Sequence, residues 1–394
     1  MTLSTGTPTR AVVSARNAVL ATFFLNGFAF ATFASRVPSV REALDLGPGR
    51  LGLLLLAASI GAVVALPASG ATVQRFGAAR VVTIAAAVEG LGLALVALGA
   101  GVLESVPTTA VGLLFVGFGT GTWDVSMNVE GAEVERRLGR SVMPRFHASF
   151  SLGTVAGAAV GSAVTFAGLG IAGHIGVTAL LIAVLGGLSV RGFLAVAPHA
   201  DHPREAHALR AWTEPRTVLI GVMVLAMALT EGVANDWLAV AMVDGYDAPA
   251  WLGAAAFALF VAAMTTGRVL GTVLLDAFGR LRVLWGSMAV AAVGVLLVVL
   301  GQVAVLVAVG IVLWGIGASL GFPVGMSAAA DDPARAAARV SVVSTIGYTA
   351  FLAGPPMLGF LGSQFGVLNA LLVVSVILVP SALAVPAARK PSGV

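Results

Sequence analysis

Apolar runs of about twenty residues follow one another from residue 15 to residue 387, broken by short polar turns and one long hydrophilic stretch. A helix rising 1.5 Å per residue needs about 20 such residues to cross the ~30 Å hydrocarbon core of a bilayer. The runs predict about twelve membrane helices, near 15–37, 50–71, 79–101, 108–132, 146–168, 171–190, 217–240, 250–275, 281–302, 304–327, 340–363 and 366–387. They are too long for the strands of a membrane barrel and lack period-two alternation. The sequence therefore reads as an all-α membrane protein. Of its residues, 58% are hydrophobic and 10% charged. A soluble domain carries about 25% charged residues, so no water-soluble fold hides this much apolar surface and the lipid bilayer is the solvent.

The remaining composition narrows the chemistry. Without cysteine there is no disulfide, thiolate nucleophile or Cys-ligated zinc, and no motif calls for a cofactor. The net charge of +4 reflects arginines in short turns and implies no nucleic-acid partner. Arg10 and Arg16 precede the first apolar run as in a signal peptide, but many spans follow, so that run reads as a retained first helix.

The hydrophilic stretch Arg191–Arg216 divides the chain. It predicts a six-helix bundle over 1–190, a cytoplasmic connector over 191–216 and a second six-helix bundle over 217–394. His199, His202 and His207 in the connector read as solvated residues. With the N-terminus inside, cytoplasmic segments collect Arg10, Arg16, Arg75, Arg80, Arg136, Arg137, Arg140, Arg145, the connector arginines, Arg280, Arg282, Arg335, Arg339, Arg389 and Lys390. Outer turns hold only Arg36, Arg41 and Arg50. That asymmetry places both termini in the cytoplasm and the chain in the inner membrane.

The two halves repeat. Phe76, Gly77, Arg80 and Val81 recur at a constant shift as Phe278, Gly279, Arg282 and Val283. Gly117 and Gly119 match Gly315 and Gly317, and Asn26-Gly27 overlays Glu231-Gly232. Mirrored six-span halves are the plan of many secondary transporters, with a site near the midplane.

The turn Gly70-x-x-x-Gln74-Arg75-x-Gly77 resembles the loop signature of the major facilitator superfamily, with Gln74 replacing the usual acid. Its second copy keeps Asp276 but has Thr272 and Ala277 where Gly and Arg are usual. Ser35-Arg36-Val37-Pro38, Trp123-Asp124-x-x-Met127-Asn128, Phe146-His147-x-x-Phe150-Ser151-Leu152-Gly153, Glu231-Gly232 and Gly347-Tyr348-x-x-Phe351 are similar to the MosC/YbjJ-like branch. The resemblance implies the twelve-helix superfamily fold, two pseudo-symmetric bundles and transport by alternating access.

Charges inside the bilayer cost about 2.5–3.5 kcal/mol each on insertion scales, so each needs a reason. Glu231 lies deep in the seventh span, with Asn235 and Leu238 expected on its face. Asn26 holds the corresponding place in the first half. Asp124 shares a face with Asn128 and reads either as a functional acid or as the partner of Arg268. Arg268 either snorkels or pairs with a buried acid. Asp236 is expected near Arg36 as a gate or plain interfacial pair. Glu89 is as readily structural as functional. His147 with Ser149 and Ser151 lacks the elbow and strand of a hydrolase, leaving a polar lining or a helix-end histidine. Gly117-x-Gly119-x-Gly121 and Gly153-x-x-x-Gly157-x-x-x-Gly161 read as helix packing. Gly77 and Gly279 permit tight reversals, and Arg75, Arg80, Asp276, Arg280 and Arg282 are candidates for an inner gate.

These residues predict a non-enzymatic secondary transporter, proton-coupled and monomeric, with a small sugar- or polyol-like solute and protons as its partners. Glu231 and Asp124 are the proton carriers, and Asn26, Trp123, Asn128, Asn235, Tyr348 and His147 line the solute site. A proton-driven exporter of amphipathic drugs and a non-transporting membrane receptor are the alternatives.

Overall fold

The computed structural model describes residues 9–139, 142–194, 211–332 and 335–390. Those residues are overwhelmingly helical, with no strand among them. This is the economy lipid imposes: an unpaired backbone N–H or C=O has no water to turn to, and a helix satisfies both internally. The long helices are α1 (Arg10–Ala43), α2 (Pro48–Phe76), α3 (Ala78–Gly101), α4 (Val106–Leu138), α5 (Met143–Phe166) and α6 (Ile171–Ser189). Further along come α7 (Pro215–Tyr246), α8 (Ala250–Phe278), α9 (Arg280–Leu300), α10 (Ala304–Ala329), α11 (Ala336–Phe365) and α12 (Val367–Ala388). Among the described residues, ten helices are long and apolar enough to cross a membrane. The others, α4 with 33 residues and α11 with 30, are long enough but richer in polar side chains. Arg140 and the connector residues His199, Asp201, His202, Arg204, Glu205, His207 and Arg210 lie outside the described residues.

Contacts divide the chain into two compact units, Met1–Arg36 with Ala57–Ala200 and Val37–Leu56 with Asp201–Val394. The division passes through α1 at Arg36, so Val37–Leu56 packs within the second unit.

In the first unit α3 lies between α4 and α6. Glycines set the spacing. A Cβ on Gly117 would strike the Ala58 carbonyl of α2, and one on Gly119 would meet the Glu89 backbone of α3 at 2.7 Å. Gly153 and Gly157 face the Phe24 and Phe28 carbonyls of α1. Small residues let backbones close up where lipid supplies no hydrophobic drive to do so. Ser105 caps α4 by accepting from the Thr108 amide at 3.4 Å, and Gly139 ends that helix in the left-handed region. In the second unit α7 packs on α11, and α10 on both α8 and α9. Gly77 (φ 80°) and Gly279 (φ 75°) make the two reversals expected of them. Side chains such as Leu180, Val305, Val379 and Leu383 remain exposed, as residues facing acyl chains would be.

Candidate functional site

The most developed polar arrangement lies in the second unit and is built by three irregularities in its helices. The first is in α7. Directly after Val233 the helix passes into a π turn over Ala234–Leu238 before continuing as Ala239–Tyr246. One residue more per turn rotates everything downstream by about 100° relative to a uniform α-helix. The face expected to carry Glu231, Asn235 and Leu238 together assumed no such offset. Leu238 and Trp237 are in fact fully buried, while Asn235 and Asp236 are half-buried.

The second irregularity is in α10, which breaks at Ser319-Leu320. Pro323 stands four residues beyond Ser319 and has no N–H, so the Ser319 carbonyl loses the donor an unbroken helix would give it. The third is the approach of α8 to that break. A Cβ added at Gly267 would collide with the Ser319 side chain, and one at Gly271 would push the tip of Leu320 aside, so small residues bring α8 this close. Arg268 is thereby held beside the broken turn, and its Nε donates to the orphaned Ser319 carbonyl at 3.5 Å.

From there Arg268 reaches α7. Its Nη2 donates to both carboxylate oxygens of Glu231 at 3.0 Å each. The pair is partly shielded, with side-chain exposures of 17% for Glu231 and 29% for Arg268. A charge-assisted pair of this kind brings two opposite charges into the span at far lower cost than either alone. Of the readings open for Arg268, pairing with a buried acid is what the geometry gives, and the acid is Glu231 rather than Asp124.

An aromatic strip runs beside the pair. Phe351 packs where a Cβ on Gly232 would come within 3.2 Å of its ring. Tyr348 lies 6.3 Å from Phe351 and 5.9 Å from Phe322 between ring centroids. Glu231, Arg268, the Ser319 carbonyl and these rings form one amphipathic constellation on α7, α8, α10 and α11. Sequence reasoning did not place Ser319, Phe322 or Phe351 in the site. The signal for Ser319 was present in the proline four residues on.

The first unit holds the other expected residues. Asn128 Nδ2 donates to the Asp124 carbonyl at 2.8 Å and to its carboxylate at 3.4 Å, so the two share a face as expected. Asn26 is buried, and its Nδ2 has no hydrogen-bond partner among the described residues. Trp123 is also fully buried, with its ring against Gly186 of α6, and packs α4 on that helix. His147 is exposed and stands edge-on to Phe23 at 5.2 Å. Glu89 is completely buried against Gly119.

The Arg36 guanidinium bonds Thr165 and, at 2.8 Å, the Leu169 carbonyl within its own unit. The acid–base pair on the neighbouring turns is Arg41 with Asp244, both in the second unit, while Arg41 Nε also donates to the Leu46 carbonyl at 2.9 Å.

Among the gate candidates, Arg280 forms a two-armed bond with Asp331 at 2.8 and 3.0 Å. Arg216 reaches the same carboxylate at 2.8 Å. Burial works to raise the Asp331 pKa, but the two guanidiniums hold it below the ordinary carboxylate range. Nearby, Glu214 accepts from Arg339 at 2.6 Å and from Thr217 at 3.0 Å. The Arg339 bond chiefly keeps its pKa low, against the opposing effect of burial. Arg75 lies over the Phe76 ring at 5.2 Å. Arg80, Asp276 and Arg282 are exposed.

Glycine-packed helices long enough to cross the bilayer, with a shielded acid–base pair at a broken helix, define a multi-pass membrane transport protein. The chain belongs to the Major Facilitator Superfamily, whose family model matches residues 19–276. It is 33% identical to an uncharacterised MFS-type transporter of Yersinia pestis over 86% of both chains. It is 34% identical to an uncharacterised transporter of Sinorhizobium fredii over 87% of this chain and 90% of that one. The membrane protein MosC of Rhizobium meliloti is 26% identical over 91% of this chain and 86% of its own. Among solved structures, a point variant of the nucleoside transporter NupG superposes with a TM-score of 0.80, covering 97% of this chain and 100% of its own at 14% identity. A point variant of the E. coli fucose:proton symporter FucP gives 0.65, covering 97% and 100% at 14% identity.

Proposed function

We propose that this chain is a secondary active transporter for a small polar organic solute of the sugar or polyol class, coupled to protons and working by alternating access. Its place is the inner membrane with both termini cytoplasmic, a topology supported by the excess of arginine on the connector side of the spans. One chain is the transport unit.

The observation that carries the reading is the Glu231–Arg268 pair beside the Ser319 carbonyl. As a pair it is electrically neutral, which suits an uncharged solute. It also has two states. With Glu231 ionised, Arg268 is occupied by it. A proton on Glu231 removes the negative charge and frees guanidinium donors for solute hydroxyls. Asn235, four residues beyond Glu231, and Tyr348, in the aromatic strip, supply further polar and stacking contacts, and ring faces favour the C–H surface of a sugar. In the first half, Asp124 with Asn128 is the second proton-responsive group, and Asn26 and His147 are its polar company. Arg75, Arg80, Asp276, Arg280 and Arg282 act at the inner gate. Solved structures of the same fold carry the names of a nucleoside transporter and a fucose:proton symporter, and both nucleosides and fucose are hydroxylated.

The test is a thermal-shift screen of purified protein with L-fucose, uridine, myo-inositol, L-serine and ethidium. The reading expects a saturable rise in Tm with a hydroxylated compound, retained in Glu231→Gln, which mimics the protonated acid, and lost in Arg268→Gln. A response confined to ethidium would point to export of amphipathic compounds. Saturable binding without uptake into proteoliposomes would point to a receptor.

A further inference from the structure

A second polar cluster, outside the transport site, lies in the first unit where α1 meets the turn between α5 and α6. Arg36 is only 2% exposed, and no acidic group lies within ion-pair distance of it among the described residues. Its two terminal nitrogens are engaged by Thr165 and the Leu169 carbonyl, and both of those acceptors are neutral. Its Nε is buried without a partner. A guanidinium cannot shed its charge, so here a full positive charge is buried with no acidic side chain among the described residues paired to it.

Other unmet groups collect around it. His174 is 5% exposed, and neither ring nitrogen has a hydrogen-bond partner among the described residues. It stands in the first turn of α6, where its amide bonds the Gly170 carbonyl, one residue past the carbonyl that Arg36 binds. Thr32, one turn before Arg36 on α1, is fully buried with its hydroxyl oxygen unpartnered. Gly161 of α5 closes the group, with Ser35 against it and the His174 ring 3.7 Å from where its Cβ would sit. Unpartnered buried atoms on α1 and α6, one of them on a permanent cation, thus sit beside a helix N-terminus whose dipole also favours negative charge. Native proteins rarely leave such groups unmet.

We propose that Arg36, His174 and Thr32 form a binding site for a small monovalent inorganic anion of the halide class. One uncompensated charge calls for one negative charge. The close packing of Ser35 against Gly161 favours a compact ion over a tetrahedral oxyanion. The exposed turn 166–170 gives it a route to water. The bound ion offsets the buried guanidinium and ties that turn to α1.

The experiment is thermal unfolding of the full-length protein in detergent, titrated with sodium chloride or bromide against gluconate at fixed ionic strength. The wild type should show a saturable halide-dependent rise in Tm. In His174→Asn, Thr32→Val and Arg36→Gln, half-saturation should move up by about tenfold, or the rise should vanish. Bromide-soaked crystals should show an anomalous peak beside Arg36 Nε. If Arg36→Gln does not fold, the other two variants decide. Halide and gluconate behaving alike in the wild type would overturn the proposal. So would an unchanged halide response in both His174→Asn and Thr32→Val, or crystals with only water at these atoms in high bromide.

Discussion

A single nitrogen of Arg268 bonds both carboxylate oxygens of Glu231 at 3.0 Å, while the same guanidinium leans on the Ser319 carbonyl at 3.5 Å. A fork-to-fork pair would engage two nitrogens. This one rests on Nη2 alone, so a proton on Glu231 has a single nitrogen to release.

Removing one member of the pair should cost more than removing both charges. Arg268→Gln leaves Glu231 partly buried and unpaired, and should lower stability by about 1–3 kcal/mol, less than the roughly 3–5 typical of fully buried pairs because both groups retain some exposure. The double variant Glu231→Gln/Arg268→Gln should recover most of that loss yet remain inactive in uptake. Thermal unfolding of the four proteins in a double-mutant cycle measures the coupling.

Pro323 orphans the carbonyl that steadies Arg268. Pro323→Ala restores an N–H to that turn and should mend the break in α10. The expected outcome is equal or greater thermal stability with several-fold slower uptake, and new amide-exchange protection around Ser319. Faster or unchanged uptake would separate the break from function.

Helix spacing gives a contrast between glycines. A Cβ at Gly153 would run into the Phe24 carbonyl, where no flexible side chain can give way, so Gly153→Ala should destabilise by about 2–4 kcal/mol. Gly70 is helical with open space around it, and Gly70→Ala should stabilise by about 0.5–1 kcal/mol. Loss of transport in Gly70→Ala at full stability would show that the turn motif needs glycine for movement rather than for packing.

Acid should loosen the second unit at its connector end. Asp331 and Glu214 both have pKa values held below the ordinary range by arginines. Their contribution is fully present above the unfolded carboxylate pKa and is lost as pH falls through the lowered folded values. Tm should therefore drop at acidic pH. Asp331→Asn should lower the neutral-pH Tm, through charge-assisted bonds worth about 1.5–3 kcal/mol, and flatten the acid limb.

Much of this was legible in the residues. The lengths of the apolar runs predicted the helices, and Glu231 stood out because a carboxylate in oil demands a reason. The glycine stripe Gly153–Gly157–Gly161 predicted close packing, though not that α1 was the partner. What stayed hidden was what local pattern does not encode. The π turn after Val233 shifts the register of the helix beyond it. Arg36 bonds Thr165, 129 residues away, and Arg41 pairs with Asp244, 203 residues away. Such choices depend on how helices tilt and end, which periodicity does not report.

The central claim is that a proton on Glu231 opens its pair with Arg268 and couples that event to solute movement. The direct measurement is uptake into proteoliposomes of the radiolabelled compound that gives the largest thermal shift, with and without an inward-directed proton gradient. Wild type should accumulate it about tenfold or more under the gradient, a bias of ~1.4 kcal/mol. Glu231→Gln should still exchange solute at equal concentrations but gain nothing from the gradient. Gradient-driven accumulation by Glu231→Gln at the wild-type level, or a wild type indifferent to the gradient, would contradict the account.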